Sequence, residues 1–154
     1  MLDKTEIIDS PPQLTAVIHL TVPASDIRKV MGPGIGEVRQ AVAAQGLKAE
    51  GAWFTHHFKV PDATFDFEVG VAVSQDVKPA GRMKPSALPA GKVAHAVYHG
   101  PYENLGTAWG EFMKWIEAQG HTPKSDLWEV YVTGPDSNPD PKTWRTEFYR
   151  PLAA

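Results

Sequence analysis

Hydrophobic positions along the chain follow two rhythms, and each rhythm occurs in both halves. Strict alternation marks residues 64–73, TFDFEVGVAV, where Phe65, Phe67, Val69, Val71 and Val73 share one side of a predicted strand. Residues 14–22, LTAVIHLTV, residues 52–60, AWFTHHFKV, and residues 92–99, KVAHAVYH, also read as strands, as do residues 127–133, LWEVYVT, and residues 143–152, TWRTEFYRPL. The helical period governs residues 100–120, where Leu105, Ala108, Trp109, Phe112, Met113, Trp115 and Ile116 form an apolar stripe and Gly120 supplies the stop. It also governs residues 36–46, through Val38, Ala41, Val42 and Gln45 up to Gly46. Ser25 is a candidate N-cap for a short helical start, which Gly32, Pro33, Gly34 and Gly36 should interrupt. The stretch GPGIG therefore reads as a loose turn. Residues 1–13 read as a leading arm, and the Pro/Gly-rich residues 75–91 as an irregular linker.

The two halves repeat one plan. Glu37 and Glu111 lie 74 positions apart (111 − 37 = 74), and at that offset AAQG falls on EAQG and WFTHHF on LWEVYV. The last strands align at a slightly larger offset, Glu68 over Glu147 (147 − 68 = 79), the extra residues falling in the loop GPDSNPDPKT. This is a duplicated strand–helix–strand–strand unit, about 14–74 and 92–152, within one domain spanning residues 14–154. The expected fold is α+β: an antiparallel sheet with helices on one face and a ligand cleft on the other. The junction of the halves is the natural place for that cleft.

Alternation proposes which side chains meet there. Trp128, Val130 and Val132 should pack on the helices, leaving Glu129 and Tyr131 on the groove side. The repeat adds Trp53, Thr55 and His57 to that side, and strand parity adds Glu68, Glu147 and Tyr149, with Arg145 as a same-face cation. Carboxylates among aromatic rings suit a cationic or polarised ligand, which ring faces attract by about 0.5–2 kcal/mol per contact. A buried carboxylate beside a Tyr hydroxyl equally suits general acid–base chemistry. A wet sheet face carries the same residue types, so both readings of Glu129 stand at this point. The aromatic helix residues Trp109, Phe112 and Trp115 read as core.

Composition narrows the classes. The chain has 154 residues, 42% of them hydrophobic, a net charge of −3 and no cysteine. Thiolate metal sites, disulfides and Cys nucleophiles are excluded, and no nucleic-acid or membrane footprint follows from the charge. The N-terminal residues lack a signal-peptide run and no segment has transmembrane length, so a cytoplasmic address is expected. No metal is expected: HExxH is absent, and His56 and His57, adjacent on a strand, point to opposite faces. No cofactor motif is present; GPGIG matches neither GxGxxG nor a Walker loop.

The segments YHGPYENLGTAW and GHTPKSDLWEVYVTGPDSNPDPKTWRTEFYRPL, with VPASDI and FDFEVGV in the first half, resemble the GyrI-like family, also called AraC-type effector-binding domains. The resemblance covers residues 14–152 and implies a duplicated α/β unit with a central cleft for small aromatic or cationic compounds. It places Glu129 at the cleft carboxylate that meets the cation in multidrug-responsive relatives. His57 departs from the Tyr or Phe more typical at its position. Relatives often carry a DNA-binding helix-turn-helix ahead of this module, for which residues 1–13 are too few, so a stand-alone member without direct nucleic-acid contact is expected. The groove-face inventory and the resemblance together give an expected ligand-binding set of Glu129, Trp53, His57, Tyr131, Glu147 and Tyr149. Two rivals to small-molecule binding follow from other stand-alone members. One is hydrolysis of electrophilic, cyclopropane-type toxins, with Glu129 as general acid or base and Tyr131 or Tyr149 assisting. The other is interaction with a protein partner such as a regulator or gyrase.

Overall fold

The computed structural model describes residues 2–59, 63–135 and 138–153. Val60, the last residue of the strand expected over 52–60, residues 136 and 137 of the loop GPDSNPDPKT, and the terminal residues 1 and 154 lie outside the described residues. In chain order the elements are β1 (Leu2–Ser10), β2 (Gln13–Pro23), α1 (Ile27–Ala44), β3 (Glu50–His57), β4 (Thr64–Ala72), β5 (Lys84–Leu88), β6 (Gly91–His99), α2 (Leu105–Ala118), β7 (Leu127–Thr133) and β8 (Arg145–Pro151). The strands form one eight-stranded sheet in the order β1-β6-β8-β7-β3-β4-β2-β5, and every pairing is antiparallel. The α+β expectation holds.

That order runs outward symmetrically from the β7–β3 pair, each half contributing its own strand–helix–strand–strand unit. Thr55 and Glu129 are repeat mates (55 + 74 = 129) and are also directly paired, so the local two-fold passes between them. The helices end alike. Gly46 and Gly120 take φ of 72° and 78°, and the following amides reach back to Val42 and Ile116 carbonyls at 3.2 and 3.3 Å. Both are glycine C-caps that satisfy carbonyls left over by the last turn.

Three segments differ from the sequence expectation. Residues 2–10, anticipated as an arm, form β1 along β6, and residues 84–88 of the linker form β5 along β2. β1, ahead of the first repeat, completes the edge of the second half, and β5, ahead of the second repeat, completes the edge of the first. Edge strands gain their ladder from a neighbour that local patterning does not reveal. The Gly/Pro segment is the third: α1 runs unbroken through GPGIG with Pro33 inside. Proline there forfeits one backbone hydrogen bond, at a cost of about 3 kcal/mol. The burial of Ile35, Val38 and Val42 against Ile18, Val69 and Val71 counters it. Gly34 serves this contact: a Cβ there would lie 3.1 Å from Val69 Cγ1, so its absence lets the helix settle on the sheet. The helix start also shifts. Ser25 belongs to a single 3-10 turn, and Asp26 takes the N-cap position without a side-chain bond.

The second core packs α2 through Ala108, Phe112 and Ile116 onto Ala94, Ala96, Tyr98 and Phe148. Register shows that both helices cover the same face. Ile18 pairs with Val69 and Thr55 with both Val69 and Glu129, while Glu129 pairs with Phe148, so these side chains lie on one side of the sheet. No helix among the described residues is long and apolar enough to cross a membrane.

Candidate functional site

Glu129 lies on the helix side of the sheet, the reverse of the expected placement. It sits opposite Phe148, whose ring stacks under Trp109 of α2 at 4.4 Å and 10°. Trp128 instead shares the outer face with Tyr149, stacked at 5.5 Å. Alternation grouped Glu129 with Tyr131 correctly; it could not say which group the helices cover.

The cleft therefore opens between α1 and α2, above the central strands, with a volume of about 450 Å³. Ile27 and Met31 of α1 form one wall, and Leu105, Trp109 and Met113 of α2 the other. His57, Phe65, Leu127, Glu129, Tyr131 and Arg150 supply its floor. A second cavity of about 460 Å³ lies alongside, and Met31, Tyr102 and Tyr131 border both. Trp53 lines this second space, its ring 4.3 Å from that of Tyr131.

The polar floor is one connected chain. Trp109 Nε1 donates to Glu129 Oε2 at 2.6 Å, and the Tyr131 hydroxyl donates to Oε1 at 2.7 Å. Tyr131 meets Thr55 Oγ1 at 2.7 Å, and Thr55 Oγ1 meets His57 Nε2 at 3.2 Å. Since the Tyr131 proton is spent on Glu129, donation runs in one sense: His57 to Thr55 to Tyr131 to Glu129. His57 Nδ1 is left buried with no partner among the described residues.

Burial dominates the electrostatics. Glu129 is 8% exposed, and loss of water raises its pKa above the usual carboxylate value, while the Tyr131 and Trp109 bonds pull it partly back. Desolvation, then the charge of Glu129, pushes the Tyr131 hydroxyl well above the ordinary phenol value. Burial, aided by neighbouring His56, takes His57 down to about 4, so it is neutral. Among the described residues Glu129 has no ion-pair partner: its bonds come from neutral donors only.

Of the expected site residues, Glu129, Tyr131 and His57 meet at the cleft, with Trp53 behind Tyr131. Glu147 and Tyr149 do not: they lie on the outer face. There Glu147 accepts from His95 Nε2 at 2.7 Å and from the hydroxyl of Tyr149 at 3.3 Å. Glu68 also lies on that face, bonded by Ser86 at 2.9 Å and 3.5 Å from Lys84 Nζ. The physical reason is register. Glu147 pairs with Val130 and Glu68 with His56, so parity within a strand does not carry across to its neighbour. Sequence reasoning assigned Trp109 to the core and passed over Arg150. Trp109 serves both ends, its ring in the core and its N–H on Glu129; a buried indole needs an acceptor, which was the available signal. Among the described residues no cluster of three or more His, Asp or Glu could hold a metal ion.

Comparisons with known proteins agree with this architecture. The profile of the GyrI-like small molecule binding domain matches residues 3–153. The crystal structure of the EcmrR C-terminal domain is similar over 99% of both chains, with TM-score 0.85 and 26% identity. In the EcmrR–DNA complex the likeness covers 97% of this chain and 57% of that one (TM-score 0.83, 23% identity), so this chain spans little more than half of that protein. A hydrolase from Listeria innocua shares the fold over 97% of this chain and 92% of its own, with TM-score 0.68 and 12% identity. SAV2435, solved bound to tetraphenylphosphonium, does so over 99% and 95%, with TM-score 0.61 and 13% identity. No curated protein matches the chain.

Proposed function

The chain belongs to the GyrI-like small molecule binding domain family, and from that premise we propose that it senses or sequesters a hydrophobic, aromatic or cationic compound in the cleft between α1 and α2. The observation that carries this reading is Glu129: an ionisable side chain 8% exposed, lining an apolar cavity, with no cationic partner among the described residues. An empty cleft leaves that carboxylate poorly solvated. A cation entering above it restores the missing charge partner, while Leu105, Leu127 and Phe65 take up its apolar body. Tyr131 fixes the carboxylate and Trp53 backs Tyr131, which supplies an ordered aromatic wall.

Titration with tetraphenylphosphonium and with neutral triphenylphosphine oxide tests the assignment. Glu129→Gln should weaken the cation by about tenfold or more, roughly 1.4 kcal/mol, and leave the neutral compound within about threefold. Equal loss for both compounds, or no loss for the cation, removes Glu129 as the charge partner.

Hydrolysis of an electrophilic, strained-ring compound is the second reading. It is favoured by the carboxyl of raised pKa held 2.7 Å from the Tyr131 hydroxyl, a pair suited to general acid–base work. Incubation with cyclopropane-bearing substrates followed by mass spectrometry separates the two. Ring-opened product formed by wild type and not by Glu129→Gln supports turnover; stoichiometric recovery of intact compound opposes it.

A further inference from the structure

The cleft contains a second charged group that the cation reading leaves unused. Arg150 is 5% exposed, lines the same cavity and lies on β8 two residues beyond Phe148, diagonal to Glu129 across the β7–β8 pair. Diagonal neighbours in such a pair are about 7–8 Å apart at Cα, and the two side chains form no ion pair.

The guanidinium has five N–H donors in a fixed plane. Nε and Nη2 both donate to the Lys124 carbonyl, at 3.0 and 2.6 Å, which uses one edge of the fork. Among the described residues Nη1 reaches only Met113 Sδ at 3.4 Å, a weak acceptor. One N–H on Nη1 and one on Nη2 are used by none of these bonds. A guanidinium with an N–H to spare on each Nη can bind a carboxylate through two hydrogen bonds. Asp126, the carboxylate that eases the burial of Arg150, is committed to His56 Nε2 at 2.8 Å. The cavity therefore holds a resident positive charge with donor capacity to spare and Leu127 and Met113 around it.

We propose that Arg150 is an oxyanion-holding residue of this cleft, and that its ligands include aromatic or aliphatic compounds carrying a carboxylate. This rests on the cleft being the ligand site, and it extends the ligand class to acids and to amphoteric compounds that place a cationic or N–H end over Glu129. The bond to Lys124 ties β8 to the segment before β7 and is structural. A purely structural Arg150 would not make the cleft distinguish a carboxylate from its amide.

Titrate 2-naphthoate and its neutral isostere 2-naphthamide, with tetraphenylphosphonium alongside, on wild type, Arg150→Lys and Arg150→Met. Wild type should bind the carboxylate at least about tenfold tighter than the amide. Arg150→Met should abolish that ratio. Arg150→Lys, which keeps the charge and loses the fork, should reduce it by several-fold. Where Arg150→Met does not fold, Arg150→Lys decides the matter: a carboxylate-to-amide ratio unchanged from wild type overturns the proposal. A wild-type ratio of one or below, or variants that weaken carboxylate and amide equally, overturns the proposal. If tetraphenylphosphonium still binds in a Glu129-dependent way, only the Arg150 assignment falls. If none of the three compounds binds, the cleft reading falls with it.

Discussion

Replacing Glu129 by Gln should reverse the hydrogen-bond chain on the cleft floor. The wild-type carboxylate accepts twice, from Trp109 Nε1 at 2.6 Å and from the Tyr131 hydroxyl at 2.7 Å. A Gln amide can accept with only one of its two ends. The indole N–H can only donate, so the amide oxygen must face Trp109 and the amide N–H must face Tyr131. Tyr131 then turns its proton to Thr55, 2.7 Å away, and Thr55 turns its own to His57 Nε2 at 3.2 Å. His57 must move its proton from Nε2 to Nδ1. Long-range nitrogen–proton NMR of the His57 ring should therefore show the Nε2–H tautomer in wild type and Nδ1–H in Glu129→Gln. An unchanged tautomer would refute the chain.

The energetics of the same substitution carry a sign. Two charge-assisted bonds of about 1.5–3 kcal/mol each become neutral ones of about 0.5–1.5 kcal/mol. Against that loss, the variant no longer desolvates a carboxylate, a penalty of several kcal/mol per buried ion. Because the folded pKa of Glu129 is raised, the native state holds its proton more tightly than the unfolded chain. That contribution is fully present below the unfolded carboxylate value and is lost as pH rises to the raised folded value. Across that window wild type loses about 1.4 kcal/mol per pH unit relative to the variant. Urea unfolding of both proteins at a series of pH values should show the difference moving in favour of Glu129→Gln as pH rises. A pH-independent difference, or one moving the other way, would show that Glu129 is not burdened by burial.

His57, taken down to about 4 by burial, carries the opposite slope: the unfolded chain binds its proton first, so stability is lost as pH falls from about 6.5 to 4. His57→Phe should remove roughly 3 kcal/mol of that acid sensitivity, read from unfolding at low and neutral pH; an unaltered acid limb would place His57 in contact with solvent. Gly70, in β4, has room for no side chain, since a Cβ would lie 2.2 Å from the Ala16 carbonyl oxygen. Gly70→Ala should destabilise the protein by about 1–3 kcal/mol through displacement of β2, and an unchanged melting temperature would contradict the packing.

Much was legible in the chain because it was local. The period of residues 105–116 and the glycine stops at Gly46 and Gly120 depend on neighbours a few positions away, and both recur in the structure. The repeat offset of 74 was legible too, and it foreshadowed the pairing of Thr55 with Glu129 across the local two-fold. Alternation bound Glu129 to Tyr131 and Trp53 to His57, since side chains two apart on a strand share a face whatever the fold. Tertiary structure decided the rest. Glu147, Tyr149 and Glu68 shared the chemistry of the site and left it through register, because a shift of one residue between strands exchanges their faces. β1 and β5 became strands only because β6 and β2 offered open ladders, and α1 crossed Pro33 because its buried face outweighed one missing bond. Glu129 acquired its character in the same way. Its identity and its strand were set by sequence, but two helices closing over that face of the sheet made it a buried carboxylate beside an apolar cavity.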